Sequence, residues 1–132
     1  MSETLKMVVL IIVIAATAFS VYAAATYPRT VVSFQVSFTI GADVRREAFE
    51  VPVMNDRVQV EIRIESGTSL WYAEIASESE KVWKHPSTQK GQTIYNSEWI
   101  ELPSGAYNFT FGTVGFGSLQ GEIEVTVKGG FW

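Results

Sequence analysis

Met7–Ala25 reads MVVLIIVIAATAFSVYAAA, nineteen residues without a charge, with Thr17, Ser20 and Tyr22 as the only polar side chains. At about 1.5 Å per residue, a helix of this length spans roughly 28 Å, close to the hydrocarbon thickness of a bilayer. Apolar on every side, it has no polar face for water. It belongs in lipid or inside an assembly, and the rest of the chain is read outward from it.

Two readings of this segment stand side by side. As a cleaved signal peptide, Met1–Lys6 is the n-region and Met7–Phe19 the h-region, and Ala23-Ala24-Ala25 offers a small-x-small cleavage site. As an uncleaved signal anchor, its nineteen apolar residues exceed the usual h-region. The anchor is the preferred expectation, with residues 1–26 as the hydrophobic helix and 27–132 as one β domain. Lys6 and Arg29 flank the segment, and a short tail inside with a large domain outside is the simplest orientation. Asn108-Phe109-Thr110 fits an N-glycosylation acceptor, which suits an external domain; a three-residue match also arises by chance in a strand.

Beyond Pro28 the pattern changes to period two. Val32, Phe34, Val36, Phe38 and Ile40 alternate with Ser33, Gln35, Ser37 and Thr39, one apolar face and one hydroxyl-rich face. Gly41–Arg46 reads as a turn. Phe49, Val51 and Val53 follow, with Pro52 pointing to an edge or a bulge and Asn55-Asp56 to a turn. Val58, Val60, Ile62 and Ile64 then alternate with charged and amide side chains, the mark of a solvated outer ladder. Leu70–Ala76 is a strand whose inward face is ambiguous, and Val82-Trp83 marks another. Thr93–Leu102, Pro103-Ser104-Gly105 and Tyr107-x-Phe109-x-Phe111 read as a hairpin. Gly112–Ser118 reads as a glycine-rich loop, and Leu119, Ile123, Val125 and Val127 as a last strand with Gly121 in the inward register. Eight to nine strands with no second helical pattern predict a mainly β protein. The expected architecture is one antiparallel β-sandwich, jelly-roll or immunoglobulin-like, behind one N-terminal helix.

Composition narrows the function classes. The chain has 132 residues, net charge −4 and no cysteine. Scattered basic residues give no electrostatic footprint for nucleic acid. Without cysteine there is no disulfide framework and no Cys-based metal or haem site. Abundant Glu, Ile, Val and aromatic residues are a compositional hint of a hyperthermophile.

The run Val58–Phe111 combines a strand, a Ser-Gly turn, a Trp-bearing strand, a Val-Trp pair and a Pro-Ser-Gly-x-Tyr element. It resembles the small β-sandwich modules grouped as GOLD-like or prepeptidase-C-terminal-like. That resemblance implies a non-catalytic module for protein or carbohydrate contacts. The whole layout is similar to archaeal surface proteins and to archaeal type IV pilins and flagellins. Pilin precursors are cut after Gly or Ala just before the apolar run, and Leu5-Lys6-Met7 lacks that residue.

No catalytic constellation is expected. His85 is the only histidine, with no partner suggested by spacing. Glu78/Glu80, Glu98/Glu101 and Glu122/Glu124 are pairs of the kind a glycosidase uses, but Glu122 and Glu124 alternate with Ile123 and Val125 and belong to an outer face. Asp43 and Asp56 are too few for a calcium loop, and Gly115-Phe116-Gly117 lacks the third glycine and helix of a dinucleotide loop. No metal or cofactor is expected. Trp71, Tyr72, Trp83, Tyr95 and Trp99 read as core packing, with a solvent-facing sugar platform as the sharper alternative.

The expectation is therefore a non-enzymatic extracytoplasmic structural or interaction protein, in its sharpest form a pilin-like filament subunit. The alternative is a membrane-anchored binding module or accessory subunit. Expected partners are membrane lipid, other copies of the chain, or other envelope proteins. Met7, Val9, Leu10, Ile11, Ile12, Ile14 and Phe19 would pack against lipid or another helix; Val114, Phe116, Phe131 and Trp132 are candidate partner contacts.

Overall fold

In the computed structural model, residues 2–38, 44–114, 117–130 and 132 are described. Helix α1 spans Glu3–Thr26. The Ser2 hydroxyl caps it by accepting from the Leu5 amide at 3.2 Å, and Glu3 sits in its first turn, where the helix dipole favours an acid. It ends where Tyr27 turns extended before Pro28, whose ring disfavours a helical predecessor.

Nine strands follow: β1 Arg29–Phe38, β2 Val44–Val51, β3 Asn55–Gly67, β4 Leu70–Ala76, β5 Lys81–Pro86, β6 Thr93–Asn96, β7 Ile100–Glu101, β8 Gly105–Val114 and β9 Leu119–Gly129. One sheet runs β1-β9-β3-β6, with β7 also paired to β3; the other runs β2-β8-β4-β5. Every pairing is antiparallel. β1 to β4 alternate between the sheets, β4–β5 stays in one and β6–β7 in the other, and β8 and β9 return between their partners; this order is a jelly roll and closes the choice left open by the strand count.

The inner faces build one core. Val58, Val60, Ile62 and Ile64 of β3 interleave with Ile123, Val125 and Val127 of β9, all buried. Phe109 and Phe111 of β8 meet them from the other sheet, with Phe34 6.1 Å from Phe109 and Phe38 6.2 Å from Phe111 between ring centres. The ambiguous strand β4 resolves plainly: Trp71, Ala73 and Ile75 point inward. Gly121 leaves room for a close crossing, since a Cβ there would lie 2.5 Å from the Arg63 carbonyl.

The two open sides are closed differently. Arg45 of β2 crosses to β1, donating to the Gln35 carbonyl at 2.9 Å and lying over the Phe34 ring at 4.4 Å. On the opposite side, His85 of β5 stacks on Tyr95 of β6 at 3.8 Å.

Three sequence expectations need correction. Val44, Arg45 and Arg46 belong to β2 rather than to a turn. All three are exposed on an edge strand, where pairing with β8 holds them extended. Pro103-Ser104-Gly105 does not close a hairpin: β7 pairs β3 in one sheet, and β8 pairs β2 and β4 in the other. The turn carries the chain across the core. Gly112, Thr113 and Val114 complete β8 instead of opening a loop.

Candidate functional site

A buried polar junction lies where α1 meets the sandwich. Thr26 is fully buried. Its hydroxyl donates to the Tyr22 carbonyl at 2.8 Å and accepts from the Trp132 indole N–H at 2.9 Å. The Asn55 amide, at the start of β3, donates to the Ala25 carbonyl at 2.9 Å and to the Val53 carbonyl at 3.2 Å. A helix leaves its last carbonyls without intrahelical donors, and Asn55 supplies one from a different part of the chain. The Trp132 ring meets Tyr27 edge-on at 5.0 Å.

This return of the chain depends on two glycines. Gly130 adopts φ +63, and a Cβ there would lie 2.7 Å from the Tyr22 hydroxyl. A Cβ on Gly129 would press on the Met54 carbonyl from 2.0 Å. Arg57 then holds the returned segment by donating to the Trp132 carbonyl oxygen at 3.1 Å and to that of Gly130. Helix end, β2–β3 turn and chain end thus form one joint.

Along α1 itself, Met7, Val9, Leu10, Ile11, Ile12, Ile14 and Phe19 are exposed. The helix is long and apolar enough to cross a membrane by length and composition. Its hydroxyls are satisfied within the helix: Thr17 donates to the Val13 carbonyl and Ser20 to the Ala16 carbonyl, each at 2.8 Å. Tyr22 and Tyr27 stand at its sandwich end, beside Trp132.

The remaining candidates scatter. Trp71 is 2% exposed, Trp83 lies half-buried opposite Ile75 on the inner side of the sheet, and Trp99 carries the Lys128 ammonium over its ring at 3.9 Å. The three do not form a common solvent-facing platform. His85 is enclosed by rings, with Trp71 at 5.5 Å and Trp83 at 6.3 Å besides Tyr95, and burial pulls its pKa below the ordinary value. Burial raises that of Tyr95, with the Glu98 charge adding to it. Glu122 and Glu124 lie on the outer side of β9, near the Arg63–Glu61 ion pair of 2.9 Å. Among the described residues no cluster of His, Asp or Glu could hold a metal ion. Asn108 is exposed, flanked across the ladder by Ala48 and Ala76. Val114 is exposed at the pole away from the helix. Ile40, Asp43, Gly115, Phe116 and Phe131 lie outside the described residues.

Sequence reasoning singled out Trp132 but missed Asn55, Val53 and Met54. Val53 is 76% exposed and Met54 55%, and Met54 has φ +72. With the Pro52 carbonyl accepting from the Asn55 backbone N–H at 3.0 Å, this is a two-residue turn whose second position favours Gly or Asn. The bracketing Pro52 and Asn55 were its legible signal.

An open hollow of about 360 Å³ lies on the outside of the β1-β9-β3 sheet, lined by Gln35, Ser37, Glu65, Gln120 and Glu122, with Gly121 in its floor.

No family model and no curated protein matches the chain. Several solved structures share its general form at low identity. The structure of TmCBM61 in complex with beta-1,4-galactotriose aligns at 11% identity and TM-score 0.47, over 70% of this chain and 68% of that one. The CBM36-1 domain of a multidomain xylanase from the hindgut metagenome of Trinervitermes trinervoides aligns at 6% and 0.46, over 83% and 95%. The infectious bursal disease virus Gt strain aligns at 13% and 0.46, over 81% and 34%.

Proposed function

We propose that the chain is a non-catalytic β-sandwich module, held at a membrane by α1 and displayed outside the cytoplasm. Its contacts are with lipid and with neighbouring envelope proteins. The observation that carries this reading is the state of α1: its apolar side chains from Met7 to Val21 lack cover from the sandwich, while Thr17 and Ser20 satisfy their hydroxyls internally. Hydrocarbon offers no hydrogen bonds, so a spanning helix must meet its own polar needs. The aromatic residues at its sandwich end suit the membrane–water interface, where amphipathic rings concentrate.

The test is extraction of the full chain from the membranes of a producing cell. Retention in alkaline carbonate and release as single particles by detergent supports the anchor. Recovery as fibres without detergent supports the filament subunit in its place. A soluble particle in the absence of detergent overturns both.

A second reading rests on the outer hollow. Its amides, carboxylates and hydroxyl could bond a polyhydroxylated ligand such as an oligosaccharide. Glycan-array binding that is lost in Glu122→Gln and Gln35→Ala supports it. Absence of binding across neutral glycans removes it and leaves the anchor untouched.

A further inference from the structure

We infer that the pole of the sandwich from which α1 emerges carries an apolar collar of Tyr27, Val53, Met54 and Trp132, seated in the headgroup–acyl boundary of the bilayer. This rests on the membrane reading and adds to it a second contact, made by the domain itself.

The residues converge through the joint described above. Asn55 ties the β2–β3 turn to the Ala25 carbonyl, Gly129 runs against Met54, and Trp132 packs on Tyr27. All four collar side chains expose much of their surface. Of the other large apolar side chains exposed on the sandwich among the described residues, Val44 and Val114 lie toward the far pole and Ile94 on an outer face. The clustering is thus specific to the end where the helix leaves.

The turn adds an independent observation. Met54 is the one non-glycine described residue with positive φ. A backbone of this kind favours Gly or Asn, which would also keep the turn polar. The chain instead places two adjacent apolar side chains there and exposes both. Strained positions persist where surrounding structure over-determines them, and they cluster at functional contacts. Here Asn55 and Gly129 fix the turn so that its apolar tips stand clear of the core.

Lipid is the occupant the position selects. A helix that leaves this pole and crosses a bilayer must hold the pole within a few residues of the headgroups. Tyr and Trp are the side chains enriched at that depth. Arg29, the exposed first residue of β1, stands at the same level to meet phosphate. Asp56 and Glu101 stand at this pole too, as does the β4–β5 turn with Glu78 and Glu80, so attraction to anionic lipid does not supply the contact. The contact is therefore apolar in origin and should hold on zwitterionic lipid.

The chain has no cysteine, so single reporters can be introduced cleanly. Val53→Cys, Met54→Cys, Val114→Cys and Ile12→Cys, each spin-labelled in the full chain and reconstituted in phosphatidylcholine vesicles, report depth by collision with oxygen against a water-soluble nickel chelate. The expected ratio of oxygen to chelate accessibility at Val53 and Met54 is several-fold above that at Val114, with Ile12 higher still. Labels at Val53 and Met54 as open to the chelate as Val114, while Ile12 remains in lipid, overturn the collar and spare the anchor. An Ile12 label open to the chelate, or shielded from both agents by protein, overturns both.

Discussion

The side-chain amide of Asn55 donates to the Ala25 carbonyl at 2.9 Å, so β3 caps the helix that precedes β1. Asn55 is 2% exposed, and its other polar atom, Oδ1, lacks a partner among the described residues. Its value lies in the donor. Asn55→Ala should cost about 1–2 kcal/mol, the usual effect of leaving a buried carbonyl without its bond. Asn55→Asp should cost more, because a carboxylate would face the Ala25 and Val53 carbonyls. Denaturant unfolding in detergent reads both, and an Asp variant no worse than Ala would refute the donor role.

Met54 sets stability against placement. Its φ of +72 costs on the order of 1 kcal/mol for a side chain without a local hydrogen-bonding group. Met54→Asn should stabilise the detergent-solubilised chain by about 0.5–1 kcal/mol, since Asn tolerates this conformation. The same change should raise aqueous exposure of a label at Val53 in vesicles. A variant that loses stability would show that the turn is not strained.

Phe109 is fully buried at the centre of β8 and packs on Phe34. Phe109→Ala should cost about 3–5 kcal/mol through lost burial and an uncollapsed cavity. Phe109→Leu should cost markedly less. Thermal unfolding of both variants measures the difference, and equal losses would mean that Phe109 does not sit in close packing.

His85 gives the chain a pH dependence of known sign. Burial lowers its pKa below the ordinary 6.5, so the unfolded chain binds a proton more readily than the folded one. The stability from its neutral ring, stacked on Tyr95, is present above pH 6.5 and is lost as pH falls from there toward the folded value. As the only histidine, it should account for the slope of urea midpoints near neutrality. His85→Phe should keep the stack and flatten that slope; an unchanged slope would assign it elsewhere.

How much of this was legible depends on range. The alternation of Val58–Ile64 with charged neighbours named a half-solvated strand, because a period of two needs only local sequence. It could not name the sheet. Pro103-Ser104-Gly105 looks the same whether it closes a hairpin or crosses a core, and only the partners of β7 and β8 decide. Val44–Arg46 hid in a turn-like run because an edge strand can be charged throughout. The joint was the least legible part. Trp132 meets Thr26 across 106 residues, and no local pattern encodes that separation.

Because β1 continues from the helix and lies antiparallel to β9, tension on the tether of a body held at its far pole draws β1 along its own axis. The rungs from Arg29↔Val127 to Phe38↔Leu119 are then strained side-on and together, instead of opening one by one. Force spectroscopy between the helix end and a handle at Val114, on the far pole, should record one abrupt high-force rupture; gradual low-force peeling would contradict it. The same geometry that seats the body also makes its leash resistant to shear.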